Sequence, residues 1–148
     1  MIRICWLIWG MRSMPDKILK VLLADDEPDV LTIMARKLKE AGFAVVTAAD
    51  GQEASDQLKA EAPDILVLDV TMPRKNGFEV LAELRAIPAA KLGRWVPVII
   101  VSAQGELEDM RKGFDLQADH YLIKPCKMDE LVGAVRLMAS LIPLRNPQ

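Results

Sequence analysis

The sequence predicts an α/β fold, a doubly wound sheet of five parallel strands in the order 2-1-3-4-5, and two observations carry that prediction. Four apolar runs stop abruptly on polar residues: Leu19 to Ala24 on Asp25-Asp26, Ile65 to Leu68 on Asp69, Val98 to Val101 on Ser102, and Tyr121 to Ile123 on Lys124-Pro125. Between the runs lie segments with apolar residues at helical spacing, joined by short links. Uninterrupted runs of β-branched and aliphatic residues read as strands buried on both faces, and their alternation with helices reads as parallel crossover units.

The elements follow in order. After the first strand, Pro28 suits an opening helical turn, and Val30, Met34 and Leu38 recur at helical spacing until Gly42 stops the helix. That helix begins beside the acidic pair. Ala44 to Ala48 is the second strand, and Gln52 to Glu61 a polar-faced helix ended near Pro63. Beyond the third strand, Asn76-Gly77 opens a helix with Val80, Leu84 and Ile87 on one face, and Pro88 closes it. A longer connection, Ala89 to Trp95, leads to the fourth strand. The fourth helix, about 106–116, has the weakest apolar stripe, with Leu107, Met110 and Phe114 expected inward and Glu108, Asp109, Arg111 and Lys112 outward. Weak anchoring of that kind suits a moving element. The fifth helix starts near Met128 and is expected to bury Leu131, Val135, Met138 and Ile142 before Pro143.

Composition bounds the possibilities. A chain of 148 residues, 51% hydrophobic, has room for one core. Nineteen basic and 21 acidic residues give a net charge of −2, so direct nucleic-acid binding is not expected. Cys5 and Cys126 form no framework of spacings, so a reduced, cytoplasmic setting is expected. Residues 1–14 are apolar and carry Trp6 and Trp9, but are too short for the roughly 20 residues of a membrane helix and lack a signal cleavage pattern. They read as an extension or a mis-assigned start, with the domain proper at 15–143 and a short tail at 144–148.

In an open parallel sheet, ligands bind outside the carboxyl ends of the strands. All four polar endings therefore converge on one crevice holding three carboxylates, a hydroxyl and an ammonium, which suits a divalent cation and a phosphoryl group. Asp69 is the candidate nucleophile, because a carboxylate can take a phosphoryl group as an acyl phosphate. A cation must then offset the repulsion between two anions, and Asp25 and Asp26 supply the pull for it. Mg2+ matches such hard oxygen donors.

The ordered set Asp25-Asp26, Leu68-Asp69, Met72-Pro73, Asn76-Gly77, Val101-Ser102-Ala103 and Tyr121-Leu122-Ile123-Lys124-Pro125 resembles the receiver domain of two-component response regulators, over nearly all of 17–142. The resemblance implies a flavodoxin-like (βα)5 fold and a chemotaxis-regulator-like single domain. It implies that Asp69 accepts a phosphoryl group from a histidine kinase or histidine phosphotransfer protein. Asp26 would bind Mg2+ directly, Asp25 directly or through water, and the backbone carbonyl of Thr71 would complete the protein ligands with Asp69. Lys124 would pair with Asp69 and later with the phosphoryl group. Ser102 would hydrogen-bond a phosphoryl oxygen, and Tyr121 would turn inward as the switch. A cis Lys124-Pro125 bond is implied as well. With no domain after Ile142, output is expected to be contact with an unidentified downstream protein through the fourth helix, fifth strand and fifth helix, while the first helix meets the phosphodonor.

Singly, each residue has a plainer reading: a solvated cap for Asp25-Asp26, turn residues for Asp69 and Ser102, a surface charge for Lys124, a strand aromatic for Tyr121. His120 has no ligand partner at useful spacing, and Cys126 reads as a packed thiol. Three features depart from the family pattern: Gln117-Ala118 in place of Gly-Ala, which is expected to remodel the tight turn before strand five, Cys126 in place of phenylalanine, and the longer 89–95 loop, which is expected to add a partner contact near Trp95. Thr71 and Gln104 would flank the phosphate. Two rivals remain at this level: a Mg-dependent phosphohydrolase, which would need an acid where Thr71 stands, and a degenerate receiver that binds partners without phosphorylation. A flavodoxin-type cofactor module is disfavoured by the acids after strand one.

Overall fold

A computed structural model of the chain describes residues 17–103 and 107–146, with the side chains at 89, 107–109 and 113 excepted. The expectations for residues 1–14, Gln104, Leu107, Glu108 and Asp109 lie outside the described residues. Five parallel strands, β1 Lys20–Ala24, β2 Ala44–Ala48, β3 Ile65–Asp69, β4 Val98–Ser102 and β5 His120–Ile123, form one sheet in the order β2-β1-β3-β4-β5. The helices are α1 Pro28–Glu40, α2 Gly51–Glu61, α3 Gly77–Ala86, α4 Leu107–Asp115 and α5 Met128–Arg145, with a single helical turn at Ala89–Leu92. That turn occupies the connection that the sequence left without structure.

The uninterrupted apolar runs are explained by burial on both sides. Leu22, Leu66, Leu68, Ile100 and Tyr121 face one core with Leu58 of α2 and Leu81 and Leu84 of α3. Val21, Leu23, Ile65, Val67 and Ile99 face the other, with Met34 and Leu38 of α1 and Leu131, Val135 and Met138 of α5. Each fully buried aliphatic side chain contributes about 1.5–3 kcal/mol, and β3 and β4 are buried at every position. The sheet is therefore a rigid platform for whatever stands at its carboxyl edge.

Helix ends follow local chemistry. Pro28 opens α1, Asp50 caps α2 by accepting from the Glu53 N–H, and Asn76 and Glu79 form a reciprocal capping box on α3. Gly42 follows α1 at φ +102°, a conformation that glycine reaches without a Cβ penalty.

Three expectations need correcting. Phe114 does not face inward: it is 50% exposed, and no described residue of α4 is fully buried. Pro143 does not end α5, which continues to Arg145. A proline removes its own N–H and crowds the carbonyl four residues back, but here the last turn is fastened from outside: Asn146 pairs with both the N–H and C=O of Trp95, at 2.7 and 2.9 Å, and Arg145 lies over the Trp95 ring at 4.3 Å. Gln117 does not remodel the turn before β5 but itself takes the left-handed conformation, φ +67°, usual for glycine. Arg85 secures it, donating to the carbonyls of Gln117 and Val96 and to Asp119.

Candidate functional site

Parallel pairing aligns the carboxyl ends of β1, β3, β4 and β5, which brings Asp25, Asp69, Ser102 and Lys124 to one edge of the sheet. Asp69 is the last residue of β3, only 5% exposed, held beside β4 by the Val70 N–H bonded to the Val101 carbonyl at 3.1 Å. Asp25, 1% exposed, leaves β1 with its backbone N–H on the Ala48 carbonyl and its Oδ1 accepting from the Glu27 N–H. Asp26 is exposed at the mouth. Glu27 is the cap residue of α1, so the acids sit at the positive end of that helix.

Lys124 ties two of the acids together. Its Nζ lies 2.8 Å from Asp25 Oδ2 and 3.3 Å from Asp69 Oδ2. The following peptide bond to Pro125 is cis, and the Lys124 N–H is fixed on the Ser102 carbonyl at 2.7 Å. Ser102 is buried at the end of β4, and the Tyr121 ring lies within the core that α2 and α3 cover. Thr71 is exposed, directly after the acceptor strand.

Electrostatically the crevice carries an excess of negative charge. Burial, opposed by Lys124 and reinforced by the charges of Asp25 and Asp26, pushes Asp69 up to about 6. Burial works against the Lys124 ammonium, yet its bond to Asp25 and the charge of Asp69 outweigh this and raise its pKa. The carboxylate oxygens of Asp25, Asp26 and Glu27 lie within 4.8 Å of one another. Clustered hard oxygens beside the Lys124 ammonium are a donor set that fits Mg2+.

The crevice thus unites Asp25, Asp26, Asp69, Ser102 and Lys124, all read from the sequence, with Tyr121 buried in the core beneath. Glu27, readable from the sequence as the third acid after strand one but not among the expected metal-holding residues, joins the pair in this cluster; Pro28 beside it marks a helix start, which reads as the plainer role. Cys126 is half-buried, and burial raises its thiol pKa, which disfavours the thiolate. Trp95 is engaged by Asn146 and Arg145 at the opposite end of the sheet.

A five-stranded sheet of this order with an acid cluster, an aspartate and a lysine at its carboxyl edge defines a receiver-type α/β domain. Residues 21–136 match the model of the response regulator receiver domain, and the chain belongs to that family. It is 38% identical over 128 residues to the transcriptional regulatory protein TcrA of Mycobacterium tuberculosis, covering 86% of this chain and 49% of that protein. It is 40% identical over 119 residues to the transcriptional regulatory protein PrrA of the same organism, covering 80% and 49%. The chain spans about half the length of these relatives. Among solved structures, the receiver domain of the Francisella response regulator 1452 superposes with a TM-score of 0.74 at 33% identity, covering 82% of this chain and 97% of that one. The chemotaxis response regulator CheY4 of Vibrio cholerae gives 0.75 at 27% identity, covering 82% and 99%. Domains of this family are phospho-accepting signalling modules of two-component systems that bind Mg2+ in an acidic pocket. No described helix is long and apolar enough to cross a membrane.

Proposed function

We propose that this chain accepts a phosphoryl group on Asp69 from the phosphohistidine of a sensor histidine kinase or a histidine phosphotransfer protein, in the cytoplasm, and thereby switches a protein-binding surface. The observation that carries this reading is the buried Asp69 carboxylate with the Lys124 ammonium at 3.3 Å and the Asp25-Asp26 pair beside it. At neutral pH most Asp69 is ionised, so a carboxylate oxygen is available to attack phosphorus. The P–O bond forms as the P–N bond to the donor imidazole breaks, and the imidazole leaves with a proton from solvent.

Asp25, Asp26, Asp69 and the Thr71 backbone carbonyl would hold Mg2+, with Glu27 adding negative charge to the pocket. The cation would offset the charge on the phosphoryl oxygens. Lys124 then exchanges its carboxylate partners for a phosphoryl oxygen, as a compact charge on a flexible stem can do. The Ser102 hydroxyl meets a second oxygen, and movement there is passed to Tyr121. The output surface is the face of α4, β5 and α5. Its exposed Phe114 and Ile123, 50% and 46% accessible, and the shallow seating of α4 support that assignment. The chain itself is a signalling acceptor and not a turnover enzyme.

The direct test is label transfer from a phosphorylated histidine phosphotransfer protein. Label should move to this chain only with Mg2+ present and should fail to move to Asp69→Asn. Equal labelling of that variant would move the acceptor elsewhere.

A further inference from the structure

The loop between β3 and α3, residues 70–76, is fastened to α2 at two points outside the crevice. Asp50 does two jobs there: Oδ1 caps α2, accepting from the Glu53 N–H at 2.8 Å, while Oδ2 accepts from Arg74 Nε at 3.0 Å and from a second guanidinium nitrogen at 2.5 Å. Arg74 is in the left-handed region, φ +69°, where a side chain other than glycine's needs outside support. One residue on, Lys75 Nζ reaches Glu83 Oε1 of α3 at 2.5 Å and the buried Ser55 hydroxyl of α2 at 3.4 Å, and Ser55 donates to Glu83.

The backbones meet as closely as the side chains. A Cβ on Gly51 would fall 1.9 Å from the Lys75 carbonyl oxygen, and the Gly51 N–H points to the Pro73 carbonyl at 3.4 Å. At the loop's other end, a Cβ on Gly77 would fall 2.3 Å from the carbonyl oxygen of Asp69 itself, and the Gly77 N–H bonds the Val70 carbonyl at 3.0 Å. Val70 is thus pinned to the sheet and Pro73 to α2. Only Thr71 and the buried Met72 span the gap.

We propose that Asp50, Arg74, Lys75 and Glu83 are positioning residues that hold the Thr71 backbone at the acceptor, so that α2 sets the cation affinity of the crevice. The inference rests on the function proposed above for the Thr71 carbonyl. None of the four touches the reacting atoms. Releasing the side-chain anchors leaves the outer end of the loop held to α2 only by the long Gly51 N–H contact to the Pro73 carbonyl at 3.4 Å, and a backbone ligand held more loosely binds a cation with strict octahedral demands more weakly.

The test compares the 148-residue wild type, Arg74→Ala/Lys75→Ala, and Arg94→Ala. Both exposed or half-buried loop cations can be removed while Asp50 still caps α2. Arg94 donates to Asp64 and the Pro63 carbonyl at the far end of β3, so its loss is a structural control. Amide exchange over 70–77 and Mg2+ affinity, titrated with the metal alone, are measured on each. In the double variant, exchange in the loop should speed about tenfold and Mg2+ should bind about tenfold more weakly, with β1 and β3 unchanged; Arg94→Ala should leave both as in wild type, and restoring Arg74 as lysine should recover part of the affinity. Unchanged Mg2+ affinity in the double variant, or an equal loss in Arg94→Ala, overturns the proposal. Wild type that binds Mg2+ but takes no phosphoryl group counts against the function alone, whereas wild type that binds no Mg2+ overturns both.

Discussion

Lys124 stands nearer to Asp25 than to Asp69, at 2.8 against 3.3 Å, so the lysine bridges two buried carboxylates. Removing it takes the cation from both and leaves Asp25 with the Glu27 N–H. Lys124→Met should destabilise the metal-free protein by about 2–3 kcal/mol, below the full figure for a buried ion pair because water reaches the mouth. Saturating Mg2+ should recover part of the loss. Urea unfolding in chelator and in Mg2+ measures both.

Asp69 gives a pH dependence with a definite sign. Its folded pKa of about 6 lies above the unfolded carboxylate value, so the folded state binds more protons between about pH 4 and 6 and its stability from this group falls as pH rises through that window. Asp69→Asn removes the penalty. In chelator at pH 7 the variant should be about 1 kcal/mol more stable than wild type, a value discounted for solvent screening, and the difference should vanish near pH 4.

The left-handed Gln117 predicts a stabilising substitution. Gln117→Gly relieves the strain of φ +67° but adds freedom to the unfolded chain, for a net gain of about 0.5 kcal/mol. Calorimetry should find Tm raised by about 2 °C.

The bond pair between Asn146 and Trp95 fastens the end of α5 at the edge of the sheet remote from the crevice. Asn146→Ala should cost about 1–2 kcal/mol by denaturant titration. Phosphoryl acceptance should be unchanged.

Much of the fold was legible because four of the five strands are apolar runs that stop on a polar residue: β3 and β4 begin and end within one residue of where composition changes. The same polar stops marked Asp25, Asp69, Ser102 and Lys124, so the core of the site came with the sheet. Phe114 misled because its spacing from Met110 describes a stripe, whereas α4 lies too shallowly to bury it. Pro143 misled because helix propensity is local and the Asn146, Arg145 and Trp95 contacts are tertiary. The clamp on the acceptor loop was invisible for a related reason. Asp50 and Arg74, or Ser55 and Glu83, lie 24 and 28 positions apart and read singly as solvated charges or a helix cap.

The central claim is that Asp69 takes a phosphoryl group with help from a cation. Intact mass after incubation with acetyl phosphate, with and without Mg2+, on wild type and Asp69→Asn tests it most directly. One added phosphoryl group on wild type, dependent on Mg2+ and absent from the variant, is the predicted result. A folded, Mg2+-binding wild type that gains no mass, or a variant that gains as much, would contradict it.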